Sequence, residues 1–196
     1  MKQEDIAQKV LVVDFGAQYG QLIARRVRDL HVYSEIIPYD LPMDDVKAKK
    51  PSAIILSGGP ASVYAADAPE LDPGFFELGV PVLGFCYGMQ LMAKMLGGTV
   101  PQTDVGEYGP ATLGREYDAS RLMAGTPASQ TVWMSHRDSV GKVPEGFVVT
   151  GSTSTTHVAS MEDEARGLYA TQFHPEVHHT AYGMKILENF LFSICK

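Results

Sequence analysis

The sequence predicts an α/β fold with a mostly parallel central sheet flanked by helices and extra antiparallel strands in the C-terminal half. Three observations carry this. Short β-branched runs alternate with helical stripes up to Gly98, most runs close on glycine, and several β-rich pieces follow. The first run, Lys9-Val10-Leu11-Val12-Val13-Asp14, stops at Phe15-Gly16. Between residues 20 and 30, Leu22, Ile23, Val27 and Leu30 form a stripe opposite Arg25, Arg26 and Arg28, as in an amphipathic helix. Residues 32–39 alternate loosely as a second strand. Residues 52–57 are a third, closed by Gly58-Gly59-Pro60, and residues 75–78 read as a short helix. Val80-Pro81-Val82-Leu83-Gly84-Phe85 is a buried strand, and 89–96 a helix ended by Gly97-Gly98. Such alternation implies βαβ units, a parallel sheet covered on both faces, and ligands beyond the carboxyl ends of the strands. Those ends are Asp14-Phe15-Gly16, residues 57–60, Cys86 and the stretch after Phe173.

Beyond Gly98, the pieces at 111–113, 131–134, 147–150, 157–161 and 168–173 either extend the sheet or add an antiparallel layer. Residues 182–194 read as a closing amphipathic helix. With 196 residues and no repeat or linker, one domain over 1–196 is expected. A net charge of −7 disfavours nucleic acid as a partner. No apolar run approaches the length of a membrane span, and Met1-Lys2-Gln3-Glu4-Asp5 is too polar for a secretory signal. Two cysteines make no disulfide framework, so a reducing cytoplasm is expected. The clusters Arg25-Arg26 with Arg28, and Lys47 with Lys49-Lys50, read as solvated faces.

Chemistry concentrates at Gly84-Phe85-Cys86-Tyr87-Gly88, a G-x-C-x-G between a strand and a helix, the form of a nucleophile elbow. Its glycines are expected to let the chain turn sharply and expose the sulfur at the start of the helix, where free N–H groups and the helix dipole favour thiolate. Such a nucleophile needs a base. Of six histidines, His31 follows a helix, His157 falls in a predicted strand, and His178-His179 lie in a polar turn. His174 stands in Gln172-Phe173-His174-Pro175-Glu176, where Pro175 favours extended geometry. Residues two apart then share a side, and Glu176 can orient the imidazole. An oxyanion site needs donors. The Tyr87 N–H is one, and Gly58-Gly59 can supply a second because glycine tolerates unusual φ and close approach. No Cys, His or Asp cluster completes a metal set with His174, His178 and His179, so no metal is expected.

Together these residues resemble class I (triad-type) glutamine amidotransferases, closest to the glutaminase domains of GMP synthetases. The likeness runs through Val13-Asp14-Phe15-Gly16-Ala17-Gln18-Tyr19, Ile54-Ile55-Leu56-Ser57-Gly58-Gly59-Pro60, the elbow to Gln90, and Glu107-Tyr108-Gly109. It continues in Val132-Trp133-Met134-Ser135-His136, the His-Pro-Glu stretch and the Ile194-Cys195 ending. The resemblance implies a flavodoxin-like fold and hydrolysis of glutamine through Cys86, His174 and Glu176. It implies that the N–H groups of Gly59 and Tyr87 hold the oxyanion. Gly58, Gln90 and the segment Ser135, His136 and Arg137 would bind the amino-acid end of glutamine. The ammonia would pass to an ATP-pyrophosphatase (synthetase) domain that aminates xanthosine monophosphate (XMP) to GMP. ATP and magnesium belong to that domain alone, and this domain takes no cofactor.

No S-G-G-x-D-S nucleotide loop occurs in the chain, so the resemblance implies an excised N-terminal domain or one subunit of a two-protein enzyme. The polar start and abrupt end favour excision. The chain reads Ser135-His136-Arg137-Asp138 where the family usually has glycine third, and Gly106 stands where a basic residue is commoner. If that glycine takes positive φ or leaves room for substrate, Arg137 strains the backbone or crowds the pocket. Two alternatives stand beside the main reading. One is a glutaminase serving another synthase, and the other is a regulatory glutaminase-like module of low activity.

Overall fold

The computed structural model describes residues 8–16, 19–59, 62–102 and 106–195. Ala17, Gln18, Pro60, the polar start and Lys196 lie outside the described residues. The chain runs β1 (Lys9–Asp14), α1 (Gly20–Asp29), β2 (Tyr33–Pro38), α2 (Met43–Ala48) and β3 (Ala53–Leu56). A short 3₁₀ turn (Pro73–Phe76) precedes β4 (Val82–Phe85) and α3 (Tyr87–Met95). Then come β5 (Glu107–Arg115), β6 (Ser129–His136), β7 (Val148–Ser152), β8 (Ser160–Asp163), β9 (Leu168–Thr171) and α4 (Gly183–Glu188).

Among the described residues, all nine strands join one sheet in the order β2-β1-β3-β4-β9-β8-β7-β5-β6. The first five are parallel and the remaining pairings antiparallel. The late strands therefore extend the sheet and form no separate layer. Side chains alternate across a strand, so β1 divides its burial. Val10 and Val12 pack with Ile23 and Val27 of α1 and with Ile186 and Phe190 near the C-terminus. Leu11 and Val13 pack on the other face with Val46, Phe75, Met89 and Met92. Burial on both faces is why these strands read as unbroken apolar runs.

Several expectations change in detail. His157 lies in the loop before β8, not in a strand, and the late strands begin or end elsewhere than expected. The closing helix is α-helical only over α4, and Asn189–Ile194 widen into π-helix. There the buried Asn189 side chain donates to the carbonyls of Leu122 (2.9 Å) and Ala124 (2.7 Å).

The elbow glycines do something other than turn the chain. Neither Gly84 nor Gly88 has positive φ; the left-handed residue is Cys86 itself, at φ 49°. The glycines are needed for close approach. A Cβ on Gly84 would lie 2.8 Å from the Gly88 carbonyl carbon, and one on Gly88 would lie 2.7 Å from the Leu56 oxygen. Both contacts are with backbone, which cannot swing aside. Gly84→Ala is expected to cost about 1–3 kcal/mol through overpacking, read as a lower urea midpoint. An unchanged midpoint would mean that α3 can move away from β4 freely.

Candidate active site

Cys86 joins β4 to α3 with no intervening residue. Its N–H completes the strand by donating to Thr171 O (2.8 Å), and its carbonyl accepts the Gln90 N–H (3.1 Å) to start the helix. One residue must therefore reverse the chain, and it sits at φ 49°, ψ −104°. The side chain of Cys86 is 6% exposed at the floor of a cavity of about 450 Å³. Gly59, Tyr87, Gln90, Ser135, His136 and Arg137 line the same cavity. Gly58 does not: it is buried one residue back, its carbonyl accepting the Ser57 hydroxyl (2.8 Å).

Folding back of the antiparallel half closes the site. The segment after β9 runs along β6, although three strands separate the two in the sheet. His174 N–H donates to Trp133 O (3.1 Å), Ala181 N–H to Thr131 O (3.0 Å), and Trp133 N–H to Thr180 Oγ1 (3.1 Å). This brings the end of β6 over the elbow, where the Cys86 thiol donates to Ser135 O at 3.6 Å. Gly183 permits the seating of α4, since a Cβ there would lie 2.0 Å from Pro175 O.

His174 and Glu176 meet, but not through extended chain. Pro175 and Glu176 lie in a turn, which the fixed φ of proline suits equally well. His174 Nδ1 donates to Glu176 Oε1 at 2.8 Å, so the neutral ring keeps its lone pair on Nε2. That Nε2 is buried and makes no hydrogen bond among the described residues. Burial works against the imidazolium, but the neighbouring Cys86 and then Glu176 outweigh it and hold the His174 pKa well above its ordinary value. Arg26 Nε donates to the Glu176 carbonyl (3.0 Å), and the Tyr19 ring packs edge-on to His174 with centroids 5.6 Å apart.

The Tyr87 N–H is the first of α3, where no intrahelical acceptor exists. Gly58 and Gly59 do not adopt positive φ. The close approach is present at Gly59, where a Cβ would sit 3.0 Å from Tyr87 Cγ and press on that side chain. Arg137 also lacks positive φ, so the strain expected there is absent, although the residue does line the cavity.

His136 Nδ1 donates to Asp138 O (3.0 Å), and Nε2 lies 3.4 Å from Thr156 Oγ1 and 3.7 Å from Glu107 Oε2. Burial lowers its pKa, partly opposed by the Asp138 carbonyl and Glu107. Gly106 belongs to this corner, where a Cβ would meet His136 O at 2.6 Å. Sequence reasoning missed Ser62, Tyr108 and Asp138 on the cavity wall. The Ser62 hydroxyl donates to the Asp138 carboxylate across 76 residues of chain, a contact without a local signal. Among the described residues no group of three His, Cys, Asp or Glu could hold a metal. No helix among them is long and apolar enough to cross a membrane.

A sheet of flavodoxin-like order thus carries a cysteine elbow and a paired His and Glu. The class I glutamine amidotransferase family model matches residues 11–194, and the chain belongs to that family. It is 58% identical to the GMP synthase [glutamine-hydrolyzing] of Thermobifida fusca (strain YX) over 189 residues, 96% of this chain and 36% of the relative. It is 57% identical to the same enzyme of Streptomyces coelicolor over 93% of this chain and 35% of that one. The chain thus spans about a third of the length of these relatives. Among solved structures, a GMP synthase subunit from Thermoplasma acidophilum superposes with TM-score 0.82 and 31% identity, covering 96% of this chain and 94% of that one. A glutamine amidotransferase from Thermotoga maritima shares the fold, with TM-score 0.73 and 17% identity.

Proposed function

We propose that this domain hydrolyses glutamine and that the ammonia serves amination of XMP to GMP by an ATP-pyrophosphatase domain not contained in these 196 residues. The observation that carries the reading is the 2.8 Å His174–Glu176 pair beside the strained Cys86 elbow. The thiol turns from Ser135 O toward His174 Nε2 and gives up its proton there. The sulfur attacks the side-chain amide carbon of glutamine, and the oxyanion is held by the N–H groups of Tyr87 and Gly59. Imidazolium, oriented by Glu176, returns the proton to the amide nitrogen as the C–N bond breaks, and ammonia leaves a glutamyl thioester on Cys86. Water, deprotonated by the same imidazole, attacks the thioester; glutamate departs and the thiol is restored. Gln90, Ser135, His136 and Arg137 line the cavity where the amino-acid end of glutamine would lie. No cofactor is needed for these steps, and both free thiols suit a reducing cytoplasm.

A glutamine-shaped electrophile tests the reading. We expect it to label the chain once, at Cys86, and glutamine to protect against labelling. Addition of a synthetase domain, ATP, magnesium and XMP should then yield GMP with glutamine as nitrogen source. Absence of labelling under those conditions would count against hydrolysis and favour a regulatory module. Labelling without GMP would point to another acceptor.

A further inference from the structure

We infer that Gln172 is a positioning residue which fixes Gln90 as a hydrogen-bond acceptor toward the cavity, and so selects a substrate carrying an α-ammonium group. The inference rests on the reading of the cavity as the glutamine site. An amide side chain can present either its NH₂ or its oxygen, and its neighbours decide which. Gln90 Nε2 lies 2.6 Å from the Asp138 carbonyl, a group that can only accept, so the NH₂ must be on that side. The second amide hydrogen goes to Gln172 Oε1 at 3.2 Å. With both hydrogens spent, the carbonyl oxygen is the group that Gln90 has left for the cavity it lines. An acceptor there complements an ammonium and repels a carboxylate.

Gln172 is 0% exposed, and its Nε2 has no hydrogen-bond partner among the described residues. A side chain serving packing alone would be expected to be apolar, because an unpaired buried N–H carries a desolvation cost. Among the described residues, its one side-chain hydrogen bond is the one that orients Gln90. Without that acceptor, Gln90 keeps a single tether to Asp138 O and can rotate its amide out of register.

The test compares L-glutamine with glutaramate, the same amide without its amino group. For each compound, the concentration that half-protects Cys86 from iodoacetamide is measured on the folded chain, which requires no turnover. Gln172→Met removes the acceptor at similar volume, and Gln172→Glu keeps an acceptor oxygen in either protonation state. Gln172→Asn, which withdraws the amide by one methylene, replaces the Met variant if that one does not fold. We expect Gln172→Met to raise the half-protecting glutamine concentration about tenfold, to leave glutaramate unchanged, and Gln172→Glu to recover most of the preference. Equal shifts for both compounds, or none, would overturn the inference by reducing Gln172 to packing. A Gln90→Leu chain that keeps the wild-type preference would overturn the placement of the ammonium at Gln90, and this inference with it. Loss of preference in Gln90→Leu, with retention in Gln172→Met, overturns the inference alone.

Discussion

Cys86→Gly is expected to abolish ammonia release from glutamine and yet to give a more stable chain than Cys86→Ala. At an ordinary position glycine is less stable than alanine by roughly 0.5–1 kcal/mol, from its greater backbone entropy when unfolded. Cys86 is not ordinary, with φ 49° and ψ −104°. That conformation costs a residue bearing a Cβ on the order of 1–3 kcal/mol, and glycine escapes most of it. The strain is enforced from both sides, by the strand hydrogen bond to Thr171 and by close packing at Gly84 and Gly88. The order should therefore reverse, with the glycine variant ahead by roughly 1 kcal/mol, or about 2–4 °C in a domain of this size. Activity should fall by roughly 10,000-fold or more, because no other group can form the thioester. Calorimetry and an ammonia assay on the two variants decide it. Alanine more stable than glycine would mean that the elbow is unstrained, and residual thioester chemistry would mean that Cys86 is not the nucleophile.

Much of the fold was legible because burial wrote itself into the sequence. β1, β3 and β4 are buried on both faces, so four consecutive residues in each had to be apolar or small. Helix α1 has one buried face and shows it as a stripe. Helix α2 went unseen because it buries only Val46, and six residues give no period to read; its signals are Pro42 before it and Asp44-Asp45 in its first turn. Strand β5 looked like three residues instead of nine because it contains Gly109 and Pro110. Proline is tolerated there since β5 pairs with β6 at Pro110 but reaches β7 only at Gly114 and Arg115.

The site divided differently. Cys86, Tyr87 and Gln90 lie within one turn of helix, and His174 with Glu176 within three residues, so local spacing was enough to group them. What spacing could not supply was the fold-back that sets Ser135–Asp138 above the elbow, made by hydrogen bonds between β6 and the segment after β9. It also could not tell a glycine needed for its φ from one needed for its missing Cβ. For Gly58-Gly59 the expectation allowed both unusual φ and close approach; neither glycine takes positive φ, and at Gly59 a Cβ would press on the Tyr87 side chain. Of the two concerns over Arg137, strain falls away because a residue type bears on strain only once its backbone angle is known, while Arg137 does line the cavity.

Glu176→Gln separates the charge of the orienting residue from its shape. We expect kcat to fall by about 100- to 10,000-fold with little change in KM, because the amide either loses the charge that stabilises imidazolium or turns its NH₂ to Nδ1 and imposes the wrong tautomer. Glu176 Oε2 has no hydrogen-bond partner among the described residues, so no bond to it holds the amide against that turn. A pH signature accompanies the loss. In the folded chain the His174 pKa lies well above its ordinary value of 6.5. A raised folded value contributes stability that is fully present below the unfolded pKa and is lost as pH rises through the folded one. Stability should therefore decline from about pH 6.5 upward in the wild type. Glu176→Gln removes one of the two interactions that raise the imidazolium pKa and leaves Cys86, so the folded pKa should drop and the decline should flatten. Urea midpoints across that window, with the imidazole resonance followed alongside, read both. Wild-type kcat with an unchanged slope would show that the 2.8 Å pair is structural and that His174 does not depend on it.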